Sequence, residues 1–185
     1  LVVFFQSFES FSRYGLKFLV TSEWNPVKDE YGAFTAIYGT LVTSFLSLLI
    51  TIPLGVGTAI FITEDFVPKV VREIIGSFVE LLAAIPSVVL GLWAIFVMEP
   101  FFRAFFVFLH NFFGWIPLFS TEPTGRNSLL AILILVVMLL PIVTSIARDS
   151  LNQVPKKLRN AAYGIGASRW KTIFSVILPA ALSGI

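Results

Sequence analysis

The chain has 185 residues, 57% of them hydrophobic and 13% charged, with a formal net charge of +2. Soluble domains carry roughly a quarter charged residues, so this balance excludes a soluble globular protein and points to an all-α integral membrane protein whose constant partner is lipid. Cysteine is absent, and His110 is the single histidine; disulfides and thiol chemistry are excluded, no metal site and no catalytic residue is expected, and neither is a nucleic-acid partner.

Residues 1–5, Leu1-Val2-Val3-Phe4-Phe5, form an apolar run too short to span a bilayer and read as the end of a span. Residues 6–35 mix aromatic and charged side chains around Trp24-Asn25-Pro26 and read as an external segment. The first complete span is expected at 36–62, where Thr40, Ser44, Ser47, Thr51, Gly55 and Thr58 recur every three or four residues along one helical face. A short loop with Lys69 and Arg72 leads to a second span at 74–98, striped by Gly76, Glu80, Ala83, Ala84, Ser87 and Gly91. In 99–127, eight of the twenty Phe crowd together with Trp115, while Glu99, Arg103, His110, Asn111 and Gly114 fall near one another on a helical wheel. That pattern predicts an amphipathic helix lying in the membrane interface.

The third span is expected at 128–147, with Pro141, Thr144, Ser145 and Arg148 on one face near its end. Stripes of small residues let helices pack closely in lipid. They could also line a path for a polar solute, because lipid-facing positions would not hold Glu80 or Arg148 cheaply. Glu80, Pro86, Ser87, Thr144, Ser145 and Arg148 are therefore the candidates for a path or gate, and the two readings are compatible. Arg148 is charged at any physiological pH and stands equally as an attractor for an anion or as a basic anchor at the membrane edge. Glu80 lies about two turns into its span and is expected to be paired with a basic group or a hydroxyl.

Residues 148–173 form a polar, basic insert. Pro155 can open a helix because it lacks only an N–H that the first turn leaves unpaired. A short basic helix is expected over 156–163, the Ala161-Ala162 pair gives a partner surface close access to its backbone, and Gly164 and Gly166 permit a sharp reversal. Gly166, four residues and Lys171-Thr172 imitate a phosphate loop, but Trp170 stands where its second glycine belongs, so no nucleotide site is expected. The apolar residues 174–185 read as the start of a further span, so the chain is expected to be truncated at both ends. The loops 63–73 and 148–171 hold eight Lys and Arg against five in the longer segments on the other side, which predicts a cytosolic insert.

Asn160-Ala161-Ala162, three residues, Gly166, nine residues, Val176, one residue and Leu178-Pro179 resemble the E-A-A loop of the permease subunits of ABC importers. Asn160 stands where that family has Glu, and Val176 where it has Ile. The stretch from Glu80 to Gly91 is similar to the E-L-L-A-G-I-P-S-V-V-x-G segment of phosphate importer permeases, with Ala84 replacing a Gly. Thr63-Glu64-Asp65 and Trp24-Asn25-Pro26 resemble further motifs of those permeases.

The resemblance implies a polytopic helical bundle of the ABC importer permease (MetI-like) type in a bacterial plasma (inner) membrane, acting as a transporter subunit rather than an enzyme. It implies an extracytoplasmic phosphate-binding protein, a second related permease subunit, and two copies of a cytosolic ATP-binding subunit that carry ATP and Mg. This chain would hold no cofactor and would meet the ATPase through 148–173. Two other readings remain open: a permease for sulfate, molybdate or an organic solute, and a membrane structural or channel protein outside the ABC class.

Overall fold

The computed structural model describes residues 2, 7–8, 12–117, 119–120 and 127–181. The expected span end at 1–5 lies outside them apart from Val2, as do Arg126 and the last residues, 182–185, of the expected further span. The chain divides into two units, Leu1–Phe45 and Leu46–Ile185.

In the first unit, α1 (Lys17–Val20) leads to an antiparallel hairpin of β1 (Trp24–Asn25) and β2 (Glu30–Tyr31), with Trp24 opposite Tyr31. Trp24-Asn25-Pro26 is the entry to its turn. Pro26 has no N–H to offer a ladder, and the Asn25 side-chain oxygen accepts from the N–H groups of Val27 at 3.1 Å and Lys28 at 3.3 Å, an Asx turn. Asp29 closes the turn at φ 57°, a left-handed conformation that Asp tolerates better than most residues. Its carboxylate takes the Arg13 guanidinium. A Cβ on Gly32 would lie 2.0 Å from the Thr21 carbonyl oxygen, so only glycine fits there.

Three helices are long and apolar enough to cross a membrane: α2 (Phe34–Thr63), α4 (Ser87–Phe113) and α5 (Ser128–Gln153). Between them lies α3 (Lys69–Ala83), and after them α6 (Lys156–Gly164). Arg169–Thr172, a π-turn at Ile173–Ile177 and Leu178–Ala181 then form one continuous helical run.

Ser47, Thr51, Gly55 and Ala59, spaced by four, form the buried face of α2 against α5. The Ser47 hydroxyl donates to the Ile132 carbonyl at 3.3 Å, a Cβ on Gly55 would meet Val143 Cγ1 at 2.7 Å, and Ala59 packs with Ala147 and Leu151. Positions therefore rise together along both helices, which run parallel. The expected stripe is narrowed accordingly: Thr40 and Thr58 turn their hydroxyls back onto the carbonyls of Ala36 and Leu54, both at 2.8 Å.

The run 74–98, expected as one span, is two helices. Pro86 lacks the N–H needed to continue α3 and its ring disfavours a helical residue before it. The last turn of α3 tightens, with Ile85 N–H donating to the Leu82 carbonyl at 3.3 Å, and α4 starts at Ser87. The helix that is long enough to span is then Ser87–Phe113, so 99–113 continues that helix instead of beginning a separate interfacial one. A π-turn at Ala94–Met98 carries the chain past Pro100: Glu99 N–H donates to the Ala94 carbonyl, five residues back. Leu178 does the same to Ile173, directly before Pro179. A proline ring collides with the carbonyl four residues earlier in a regular α-helix, and a widened turn moves that carbonyl aside.

Two apolar clusters hold the second unit together. Ala94, Met98 and Phe106 of α4 pack on Leu130 and Ile134 of α5. Toward the other end of α5, Ala147, Leu151 and Val154 pack with Ala59 and Ile60 of α2 and with Ile173, Ile177 and Ala181. Ile173 and Ile177 are fully covered, and each such side chain contributes roughly 1.5–3 kcal/mol of transfer free energy from water. The short terminal run is thus tied to α2 and α5 by apolar burial. The insert 156–168 is held between them.

Candidate functional site

Helix α6 opens after Pro155 and ends in a Schellman motif. Ala167 N–H donates to the Ala162 carbonyl at 3.0 Å, Gly166 N–H donates to the Tyr163 carbonyl at 2.9 Å, and Gly166 takes φ 81°. A residue with a Cβ is strained at that φ, which accounts for the glycine. Ser168 then caps the next turn by accepting from Lys171 N–H. The expected knob and bend are both present.

The two alanines do not share a role. Ala162 is 5% exposed and faces the chain's own core, whereas Asn160 and Ala161 are exposed. The open face of α6 carries Leu158, Ala161 and Ile165 at helical spacing, with Lys156 and Lys157 beside them. Of the remaining motif positions, Val176 and Leu178 are half-buried along the terminal run and Pro179 is exposed.

The opposite face of α6 is bound to the end of α2. Arg159 reaches Glu64 through one guanidinium nitrogen and donates to the Leu151 carbonyl through another at 2.9 Å. Both charged side chains are largely buried, 17% exposed for Arg159 and 11% for Glu64. Arg169 donates to the Asp65 carbonyl at 2.7 Å, and the Trp170 ring lies 5.0 Å from that of Phe66. Asp65 also accepts from Arg72 at 2.8 Å. The residues Glu64, Asp65, Phe66, Tyr163, Ser168 and Arg169 border a cavity of about 490 Å³ between turn and insert. Electrostatics explain the arrangement: α2 and α5 end side by side, their unpaired carbonyls make a negative pole, and Arg159 answers both helix ends together with the Glu64 carboxylate. Sequence reading marked the acidic turn but not its partner. A lone arginine inside a basic helix was the available signal.

The second candidate set is divided. Arg148 donates to Glu80 at 3.2 Å across α5 and α3, and Gly76 lies beneath the guanidinium. Lys69, Arg72, Glu73 and Ser77 share the same cleft of about 370 Å³. The expectation that Glu80 has a basic partner is met there. Pro86 and Ser87 stay exposed at the α3–α4 break and do not line this cleft. Thr144 and Ser145, expected on one face, part company: Thr144 is buried at 1% exposure beside the Gly55 contact, and Ser145 is exposed. They are neighbours in sequence, and successive helical positions point about 100° apart.

The family described as "Binding-protein-dependent transport system inner membrane component" matches residues 51–185, which takes in α5, the insert and both clusters. The chain belongs to this family. An inner membrane component with three helices long enough to cross is a multi-pass membrane protein. Among curated members of this transport-system family, the "Phosphate transport system permease protein PstC" of Mesorhizobium japonicum is 40% identical over 99% of the chain and 57% of its own length. The protein of the same name from Pasteurella multocida is 40% identical over 98% of the chain and 58% of its own length. The "Probable ABC transporter permease protein YqgH" of Bacillus subtilis is 38% identical over 90% of the chain and 50% of its own length. The chain spans little more than half the length of these relatives. A chain of the solved "Inward facing conformations of the MetNI methionine ABC transporter" superposes with a TM-score of 0.57 at 24% identity, covering 83% of this chain and 62% of that one. The fold is that helical permease bundle.

Proposed function

We propose that this chain is part of the permease of an ATP-driven importer of inorganic phosphate. The observation that carries the reading is the likeness, over 98–99% of the chain, to relatives named phosphate transport system permease proteins. The permease itself hydrolyses nothing: two cytosolic ATP-binding subunits hold ATP and Mg, a second related permease completes the path, and an extracytoplasmic binding protein delivers the anion. Helix α6 faces the cytosol and is gripped by an ATP-binding subunit at Leu158, Ala161 and Ile165, where apolar side chains stand exposed on a basic helix. Arg148 draws the anion toward the inner mouth, and Glu80 holds that guanidinium in the meantime.

The test is Ala161→Asp, introduced at the native locus so that every other subunit is present. A charge on the gripped face should remove the ATP-binding subunit from the purified complex and reduce phosphate uptake at least 10-fold, with the permease still at parental abundance. Undiminished uptake and a full complement of ATPase would refute the docking site. Uptake of labelled sulfate or molybdate in place of phosphate by the parent would instead favour a permease for another oxyanion.

A further inference from the structure

Arg159 has a chemical position that docking alone does not need. Its guanidinium faces inward, away from the exposed stripe of α6, and joins three parts of the chain: α6, the Leu151 carbonyl in the last turn of α5, and the Glu64 carboxylate directly after α2. Glu64 continues α2 by one turn, its N–H donating to the Ile60 carbonyl at 2.9 Å. A carboxylate there is unfavourable, because it sits on the negative end of its own helix, and the partner that offsets it lies 95 residues away in the insert. Arg169 on the Asp65 carbonyl and Trp170 against Phe66 repeat the link on the far side of the bend. The link from α6 to α5 is covalent but passes through Val154-Pro155, where the helix is broken. The link to α2 is made entirely by side chains.

We infer that the Glu64–Arg159 pair is the strut through which movement of α6 reaches α2, and that Arg159 is a positioning residue for transport and not a docking residue. This rests on the importer reading above. A planar guanidinium can hold Glu64 and the Leu151 carbonyl in one fixed geometry, and an ammonium of the same charge cannot reproduce both directions at once. A rigid, charge-assisted contact passes on a displacement; a loose one absorbs it.

Because the chain has no cysteine, the strut can be removed and replaced in the assembled transporter. The variant Glu64→Cys/Arg159→Cys, together with Arg159→Lys, would be purified with its partner subunits and placed in phospholipid vesicles, with phosphate-binding protein inside the assay. Three quantities are read: ATPase retained, ATP hydrolysed, and phosphate taken up. Both variants should keep the ATPase and hydrolyse ATP, while phosphate moved per ATP falls 10-fold or more. Joining the two cysteines with a short bifunctional thiol reagent should restore at least half of the parental ratio. Parental transport by the uncross-linked variant would overturn the inference. So would loss of the ATPase from both variants, since Arg159 would then serve docking, or their loss from the membrane, since it would then serve folding. A parental complex that neither retains an ATPase nor takes up phosphate would instead sink the importer reading itself.

Discussion

Replacing Gly55 by alanine sets two effects of opposite sign against each other. Alanine is the better helix former by about 1 kcal/mol. At this position, however, its methyl would stand 2.7 Å from Val143 Cγ1 and 3.0 Å from Val143 Cβ. Valine in a helix has essentially one χ1 state, so it cannot swing away, and α2 must part from α5. Overpacking of this kind costs about 1–3 kcal/mol. Gly57, two residues on, is the internal control, because a Cβ there meets nothing within 4 Å. Gly57→Ala should therefore show the propensity gain alone, and Gly55→Ala should fall below it by about 1–3 kcal/mol. For a chain of 150–250 residues each kcal/mol moves the melting temperature by roughly 2–4 °C, so the two variants should differ by about 2–12 °C. The assay is thermal unfolding of the detergent-solubilised protein followed by the fluorescence of its four tryptophans. Adding Val143→Ala to Gly55→Ala should recover most of the difference. Equal melting temperatures for Gly55→Ala and Gly57→Ala would refute the close approach of α2 and α5.

Two further outcomes are expected. Asn127 caps α5 by accepting from Leu130 N–H at 2.8 Å, so Asn127→Ala should cost about 1 kcal/mol, read as a lower melting temperature, while Asn127→Asp keeps the acceptor and should stay near the parent. The Glu80 and Arg148 side chains are 67% and 41% exposed, and exposed pairs are worth about 1 kcal/mol or less; Arg148→Gln should leave membrane abundance unchanged but cut phosphate uptake strongly, with Arg148→Lys retaining part, and equal, full uptake in both would leave Arg148 as an anchor.

The positions of the apolar helices α2 and α5 were legible because twenty or so apolar residues and a four-residue spacing of small ones leave few alternatives. What failed was the reading of proline and charge in α4. Pro86 interrupts an unbroken apolar run, and hydropathy averages across it. Glu99 and Arg103, which suggested a separate interfacial helix, instead extend one that passes Pro100 by widening a turn. Within the insert, the helix and its glycine bend follow from local chemistry, since Gly166 alone satisfies the positive φ. The inward turn of Ala162 was not legible, because alanine is equally at home on either face. Nor was the pairing of Glu64 with Arg159, which depends on two helices ending at the same level.

The two widened turns, at Ala94–Met98 and Ile173–Ile177, have a mechanical consequence. Each holds one residue more than a regular turn, and passing that surplus residue one turn along the helix exchanges a few hydrogen bonds for equivalent ones. Everything crossed by the surplus is then rotated by about 100° about the helix axis, with no bend and no break in the rod. On α4 such a twist would sweep the phenylalanines that now face α5 toward lipid; after the insert it would turn the run that carries Ile177 and Ala181. A membrane bundle built this way can exchange the faces its helices present by torsion, on an axis independent of any tilting of the helices against one another.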